Sequence, residues 1–385
     1  ADWADERTAY ETAYFGKWHI GPAEDLLRSR FHRKRQPVSH PSRSLGPLVT
    51  SMAEGHAGTL DVPIEAFPDG ATAKATTDFL RSREGGRPFL SFCSLPGPHW
   101  PWLIPHEFGI RYAPRDIPIW PNRRDDFEGK PLGQKKLRLM DEHRFPCART
   151  DAQLQDLLAC CFSYLEMIDG LVGQLIATLK ALGEYERTAI FFTADHGDMA
   201  GSHGFTHKGA YMYDELYHTP LLYKPAWPSP AKPARVAEPV HLMDVTATAL
   251  HLMAGEEQRR MGEQELHGAS LQPFAKGTAR WERQVHYAEY HGDWYGHHSS
   301  RMVTDGRWKL VWNLSDLGEL YDLDADPHEL HNRYYDPSCA DVRRRYLGTL
   351  LAEAERLGDR QLAHYAPVVA AVEDELAAQM GRSSR

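Results

Sequence analysis

Residues 188–198, Thr-Ala-Ile-Phe-Phe-Thr-Ala-Asp-His-Gly-Asp, place a short apolar run directly before two aspartates and a histidine. The run has the length and the aromatic and β-branched content of a buried strand. It follows residues 149–183, where large apolar side chains recur at helical spacing and Gly183 provides a stop. Another apolar run at residues 88–95 precedes this helix. Strand, helix and strand at this spacing predict an α/β domain with a mostly parallel central sheet flanked by helices.

The first half of the chain adds further elements to this pattern. Residues 11–15 predict a strand, and residues 69–83 predict a helix with Asp69 as its cap. Residues 22–60 and 97–148 show no clear periodicity. We expect both segments to be long excursions over the surface, of the kind that often serves a site.

The C-terminal third has a different pattern. Short strand patterns separated by turns occupy residues 283–322 and predict an antiparallel sheet, and helical patterns follow at residues 339–357 and 368–380. A chain of 385 residues is longer than one hydrophobic core usually supports. We therefore predict a main domain at residues 1–275 and a smaller C-terminal α+β subdomain at residues 276–385.

Composition and charge limit the kinds of binding partner that we expect. The formal net charge is −9, which argues against a general nucleic-acid binder but not against a small anionic substrate. The longest apolar runs are shorter than the roughly 18 residues of a membrane span, so no membrane partner is expected. The five cysteines give no disulfide framework or metal pattern. Compartment and oligomeric state stay open.

Polar residues follow the first two predicted strands. Lys17 and His19 come directly after residues 11–15, between two glycines. Lysine supplies a fixed positive charge and histidine can transfer a proton. His99 follows the strand at residues 88–95 and is placed to donate to an anionic oxygen. A solvated loop and a structural histidine are the competing interpretations.

The third strand carries the most specific set of polar residues. Asp195 and His196 lie at its end, before a glycine-rich turn, and are suitable ligands for a hard divalent cation. Lys208 follows after the turn and completes a clamp for a tetrahedral oxyanion. Turn and capping chemistry is the alternative. Because open α/β sheets bind ligands beyond the carboxyl ends of their strands, the three strand ends predict one site for an oxyanion ester, without choosing sulfate over phosphate.

Four segments resemble the sulfatase family of the alkaline phosphatase-like superfamily. They are YETAYFGKWHIG at residues 10–21, FFTADHGDMAGSHGFTHKGAYMYDELYHTPLLYKP at 191–225, LHGASLQPFAKG at 266–277 and GRWKLVWNLSDLGELYDLDADPHELHN at 306–332. The resemblance runs nearly end to end and is closest to arylsulfatases and choline-sulfatases. It implies an alkaline phosphatase-like fold and hydrolysis of a small-molecule or carbohydrate sulfate ester. Phosphate and phosphonate ester hydrolases of the same superfamily share much of this pattern.

The resemblance implies a role for each matching residue. Asp195 and His196 correspond to metal ligands, usually of one Ca²⁺ ion. Many sulfatases have asparagine at the second position, and histidine there also occurs in subgroups that include phosphonate-ester hydrolases. Lys17 and Lys208 correspond to the lysines that hold the sulfate oxygens.

Three histidines complete the predicted site. His99 corresponds to the histidine that contacts the sulfate or the leaving-group oxygen, and His19 to the one that helps to collapse the covalent intermediate. His207, next to Lys208, is predicted to bind the substrate as well.

The resemblance also implies a nucleophile, a formylglycine made from the first residue of a C/S-x-P-x-R motif. None of the five cysteines begins such a motif, and we expect the motif to be absent from this chain together with the family's paired aspartates. Both normally precede the region of Lys17, so the sequence predicts an N-terminally truncated chain whose formylglycine lies upstream. The competing hypotheses are a phosphonate or phosphate ester hydrolase of the same superfamily and a non-catalytic fragment or anion-binding protein.

Overall fold

The computed structural model describes residues 9–29, 31–34, 41–83, 86–227, 235–263, 266–293 and 295–383. Its strands are β1 (Glu11–Gly16), β2 (Arg33–Lys34), β3 (Leu48–Met52), β4 (Ala57–Leu60), β5 (Phe89–Ser94), β6 (Trp102–Pro105), β7 (Ile190–Thr193), β8 (Leu221–Lys224), β9 (His286–Asp293), β10 (His297–Thr304), β11 (Trp308–Asn313) and β12 (Glu319–Asp322). Its helices are α1 (Ala23–Arg28), α2 (Pro68–Ser82), α3 (Leu132–Arg144), α4 (Asp151–Ala181), α5 (Asp214–Tyr217), α6 (Leu242–Glu263), α7 (Gln272–Ala275), α8 (Ala340–Leu357) and α9 (Arg360–Ser383).

Strand β1 lies between β2 and β5 and runs parallel to both. Its register with β5 places Gly16 opposite Ser94, so the two strands end side by side. Ala13 and Phe15 are buried in β1 and cluster with residues of α2 and α4. The predicted α/β architecture with parallel strands flanked by helices is confirmed.

Strand β7 pairs with β8 in antiparallel orientation, whereas the sequence predicted a mostly parallel sheet. Within the described residues, β5 pairs only with β1 and β7 pairs only with β8, so each has one unpaired edge. Phe92 in β5 is 46% exposed, Phe192 in β7 is 40% exposed and Leu222 in β8 is 59% exposed. The prediction of buried strands is therefore wrong at Phe92 and Phe192.

Helix α4 supplies much of the buried core around β4 and β6. The Thr150 side chain accepts a hydrogen bond from the Gln153 backbone N–H, and the Gln153 side-chain oxygen accepts one from the Thr150 backbone N–H, which forms a capping box. By length and composition α4 would also suit a membrane span. Its residues Leu157 and Tyr164 are, however, completely buried in a cluster that includes Trp102. In this structure α4 is a core helix.

The prediction of an irregular surface excursion at residues 22–60 is wrong in part. The segment contains α1, β2, β3 and β4, and β4 lies between antiparallel β3 and parallel β6. Ala57 and Leu60 of β4 are completely buried. These strands are short, and β2 and β4 also pair with strands distant in sequence, β1 and β6, so local periodicity does not reveal them. Residues 97–148, also predicted as irregular, contain β6 and α3.

The C-terminal sheet is antiparallel in the order β12-β11-β10-β9, as predicted. Val303 in β10 and Leu310 in β11 are completely buried and directly opposite each other. They cluster with Leu347 and Leu350 of α8, which covers one face of the sheet. The predicted C-terminal antiparallel sheet with its helices is confirmed.

Candidate active site

Four predicted site residues meet where β1 and β7 end. The Lys17 Nζ atom lies 3.9 Å from Asp195 Oδ2. The Lys208 Nζ atom lies 3.0 Å from His196 Nε2. We refer to Lys17, Asp195, His196 and Lys208 as the strand-end cluster. Two ammonium groups beside one carboxylate leave a local excess of positive charge on a chain that is acidic overall.

The backbone around the cluster is tightly held. The Lys17 N–H donates to the carbonyl of Ser94 at the end of β5, at 2.8 Å. The Gly197 N–H donates to the carbonyl of Leu216 at 2.9 Å, and a Cβ atom at Gly197 would lie 1.8 Å from the Glu215 carbonyl oxygen. Only glycine fits this close approach, which fixes the turn that follows Asp195 and His196.

The charges within the cluster shift one another's pKa values. Burial alone would raise the pKa of Asp195, but the charges of His196 and Lys17 outweigh it and hold the pKa below its usual value. Burial lowers the pKa of Lys208, and the nearby Lys17 ammonium lowers it further. The two ammonium groups thus repel each other, and an anion bound between them would offset this repulsion.

His99 belongs to the same electrostatic group. Burial lowers its pKa to about 4, and the charges of Lys208, Lys17 and His196 contribute to the shift. Its Nδ1 atom lies 2.6 Å from the carbonyl oxygen of Trp100. A neutral His99 therefore donates through Nδ1 and presents a lone pair on Nε2.

The structure treats the other two predicted histidines differently. The His207 ring packs 4.3 Å from the Phe145 ring and 5.0 Å from the Trp100 ring, centre to centre. Burial lowers its pKa to about 3, so it is neutral at pH 7. His19 is exposed, and within the described residues no hydrogen bond or ion pair joins it to the strand-end cluster. The structure thus places His207 near the strand-end cluster and His19 away from it.

Asp195 and His196 partly fit the predicted metal site. The His196 Nδ1 atom lies 2.7 Å from the Gly197 carbonyl oxygen, which leaves Nε2 as the atom with a lone pair. That atom is 3.6 Å from Asp195 Oδ2, a separation that suits two ligands of one cation. Ca²⁺ takes six to eight oxygen ligands, so the pair needs more partners. The Lys208 ammonium now contacts the lone pair that a metal would use.

A different group of three potential ligands lies near the C-terminal sheet. Ligand atoms of Glu289, His291 and Asp359 all lie within 4.8 Å of one another. The Asp359 carboxylate already accepts hydrogen bonds from the buried Arg301 guanidinium, at 2.8 and 2.7 Å. In the described part of the chain, this is the one such group, and it does not include the predicted pair Asp195 and His196.

A serine match to the C/S-x-P-x-R pattern was not predicted. Residues 39–43, Ser-His-Pro-Ser-Arg, match the pattern S-x-P-x-R, so the expectation that the pattern is absent from the chain is wrong. Ser39 lies outside the described residues, and Arg43 donates to the Glu54 carbonyl at 2.9 Å. The match follows Lys17, whereas the resemblance places the nucleophile motif before it. We therefore do not assign the nucleophile to Ser39.

These features define a class of protein. Strand ends that gather two lysines, a histidine and an aspartate–histidine pair are typical of an oxyanion-ester hydrolase. Residues 6–256 match the sulfatase family, and residues 201–356 match the C-terminal region of N-sulphoglucosamine sulphohydrolase. The chain belongs to the sulfatase family, as its motifs predicted.

Individual relatives agree with this family. The chain is 28% identical over 367 residues to the uncharacterized sulfatase YidJ of Escherichia coli K12, an alignment that covers 91% of this chain and 70% of that protein. It is 27% identical over 367 residues to arylsulfatase K of Danio rerio, covering 88% of this chain and 67% of the relative. The crystal structure of the phosphonate monoester hydrolase of Agrobacterium radiobacter matches with a TM-score of 0.71 at 20% identity, over 92% of this chain and 79% of the other. This last likeness confirms the fold.

Proposed function

We propose that the protein containing this chain is a sulfuric ester hydrolase that cleaves a sulfate monoester to an alcohol and sulfate. The observation that carries the proposal is the meeting of Lys17, Lys208 and the Asp195–His196 pair at the strand ends of a sulfatase-family chain. Two ammonium groups facing one point suit a tetrahedral group whose peripheral oxygens gain negative charge during the reaction.

The two lysines of the strand-end cluster and two nearby histidines bind the substrate in this proposal. Lys17 and Lys208 hold the sulfate oxygens, and His207 lines the substrate side of the cluster. His99 contacts the sulfate or the leaving-group oxygen. Because its Nε2 carries a lone pair, His99 donates there only after it binds a proton. A bound sulfate ester opposes the field of the two lysines and so favours that proton.

Two groups would complete the chemistry. Asp195 and His196 would hold a divalent cation, for which we propose Ca²⁺, and the cation would stabilise negative charge as a Lewis acid. Formylglycine is the nucleophile implied by the family resemblance, and we assign it to no residue of this chain. The role predicted for His19 remains a prediction.

We expect Asp195→Ala to weaken Ca²⁺ binding by about tenfold or more, because a hard cation loses a carboxylate ligand. The binding of Tb³⁺, followed by its luminescence and competed with Ca²⁺, measures the affinity. Glu289→Gln, in the other group of potential ligands, is the matched control and should leave the affinity unchanged. The reverse result, in which only Glu289→Gln weakens binding, would place the ion at the C-terminal sheet.

The second candidate function is hydrolysis of phosphonate or phosphate esters at the same site. Two observations favour it: the fold matches a phosphonate monoester hydrolase, and a histidine stands at position 196. A clamp of two lysines and a cation does not by itself distinguish sulfur from phosphorus at the centre of the oxyanion.

We expect a higher kcat/KM for 4-nitrophenyl sulfate than for the phosphonate monoester 4-nitrophenyl phenylphosphonate, by about tenfold or more. The two esters share a leaving group, so the ratio of initial rates at low substrate reports how well each central atom is accommodated. A ratio that favours the phosphonate would support the second candidate. Binding of both esters without release of 4-nitrophenol would support the non-catalytic alternative.

A further inference from the structure

Asp69 is a buried carboxylate for which the proposed reaction has no use. It lies in the first turn of α2 and is completely buried. Its Oδ1 accepts a hydrogen bond from the Gly97 N–H at 2.8 Å, and its Oδ2 accepts one from the Tyr164 hydroxyl at 2.6 Å. A buried carboxylate is costly unless its partners are well placed, so this arrangement needs a reason.

The Gly97 contact lies two residues before His99. The next carbonyl, that of Pro98, accepts a hydrogen bond from the Trp102 indole N–H at 2.9 Å, and Trp102 is itself buried. The His99 Nδ1 atom contacts the Trp100 carbonyl at 2.6 Å. The backbone before His99 and the rotation of its ring are thus each fixed by a specific hydrogen bond.

Gly97 packs directly on the Tyr164 ring. A Cβ atom at Gly97 would lie 2.3 Å from two carbon atoms of that ring. No side chain at position 97 therefore fits between the loop and the Tyr164 ring of α4. Tyr164 is completely buried and belongs to the core cluster around α4. The loop that carries His99 therefore rests on the buried core around α4.

We propose that Asp69, together with Tyr164, is a positioning residue that holds the loop at Gly97 and thereby fixes His99 against the strand-end cluster. Asp69 does not touch the substrate; it acts through His99. The inference rests on the proposed role of His99 in sulfate ester hydrolysis. A displacement of about 1 Å in a catalytic group can cost about a hundredfold in rate, so loss of the Asp69 hydrogen bonds should lower the rate measurably.

The test compares Asp69→Ala and Asp69→Asn in protein that hydrolyses 4-nitrophenyl sulfate. Alanine removes both acceptors and leaves the Gly97 N–H unpaired. Asparagine has the same shape: its oxygen accepts from Gly97, and its amide N–H donates to the Tyr164 oxygen. We expect kcat to fall by about tenfold or more in Asp69→Ala with little change in KM, and to stay within about threefold of the wild type in Asp69→Asn.

A double-mutant cycle separates positioning from a merely structural role. If Asp69 acts through His99, then Asp69→Ala should cost little further activity in a His99→Ala background. A general loss of folded protein would instead lower kcat by the same factor in both backgrounds. Equal factors, or normal turnover in folded Asp69→Ala, would overturn the proposal.

Tyr164→Phe serves if Asp69→Ala fails to fold. It keeps the ring beneath Gly97 and removes only the hydroxyl that contacts Asp69. We expect kcat to fall by about threefold or more when Tyr164→Phe is made in protein that retains His99. An unchanged kcat would overturn the proposal that Asp69 and Tyr164 hold the loop at Gly97. If His99→Ala itself leaves turnover normal, then the proposed role of His99 fails, which is a different result from normal turnover in the Asp69 variants alone.

Discussion

Replacing Lys208 with alanine should lower the turnover of a sulfate ester by about a hundredfold to a thousandfold, the effect typical of removing one donor from a preorganised oxyanion site. The Lys208 ammonium lies 3.0 Å from His196 Nε2, and its pKa is lowered by burial and by the charge of Lys17. A partly desolvated charge of this kind interacts more strongly with a developing anion than it would in water. Without it, Lys17 is the one remaining lysine of the strand-end cluster.

The measurement is kcat and kcat/KM for 4-nitrophenyl sulfate in a preparation that is active before the substitution. Lys136→Ala on the exposed side of α3 is the matched control, since it removes the same charge away from the site. We expect Lys136→Ala to behave like the wild type. Near-normal turnover in Lys208→Ala would show that the lysine does not stabilise the transition state, and the strand-end cluster would lose its proposed role.

The strand-end cluster is the part of the site that sequence reasoning predicted well. Lys17 and Asp195 lie far apart in the chain, but each directly follows an apolar strand. Because strand ends in an α/β domain gather at one edge, their proximity follows from the pattern alone. The observed distance of 3.9 Å between Lys17 Nζ and Asp195 Oδ2 agrees with that expectation.

The exposure of His19 could not be predicted by the same reasoning. Residues two apart share a face only while the chain stays extended. The chain leaves β1 at Gly16, whose φ is 100°, so Lys17 and His19 no longer follow the strand period. The exposure of His19 therefore depends on the turn, and the turn is not visible in a two-residue pattern.

Asp69 shows a second limit. An aspartate near the start of a helix suggests a cap, yet its partners are the Gly97 N–H and the Tyr164 hydroxyl, which are 28 and 95 residues away. The short strand β4 was not predicted for the same reason, since its parallel neighbour β6 lies beyond α2 and β5. Local propensity describes the elements, and tertiary contacts decide what their polar side chains do.

The largest effect on stability is expected at Lys309, which joins the C-terminal sheet to α5. Its side chain is completely buried in β11, with Nζ 2.5 Å from Asp214 Oδ1 and 2.8 Å from Glu329 Oε1. Glu329 also accepts a hydrogen bond from the Asp214 N–H at 2.8 Å. Burial raises the pKa of Glu329 to about 7, even though the Lys309 charge acts to lower it.

We expect Lys309→Met to lower the free energy of unfolding at pH 8 by about 3–5 kcal/mol, because one partner of a buried ionic group is removed and two carboxylates remain. Urea unfolding of each variant provides the measurement. Lys74→Met is the matched control: its ion pair with Asp78 lies on the surface of α2, with both side chains more than half exposed at 56% and 57%. That pair should contribute about 0.5 kcal/mol or less.

The pH dependence distinguishes the lost charge from lost packing. Without Lys309, the pKa of Glu329 should rise further, since a charge that lowers it is gone. A carboxyl group with a raised pKa binds its proton more tightly in the folded state. Its contribution to stability therefore grows as the pH falls from the folded pKa towards the usual value of 4.5, and is lost as the pH rises.

The stability difference between Lys309→Met and the wild type should consequently narrow as the pH falls from 8 towards 5. Protonation of Glu329 then removes one of the two negative charges that have lost Lys309; the other, on Asp214, keeps His218 at 3.6 Å. A difference that stays constant over this range would mean that packing around the methionine, and not the charge, causes the loss. A variant as stable as the wild type would mean that an apolar side chain joins β11 to α5 as well as the ion pair does.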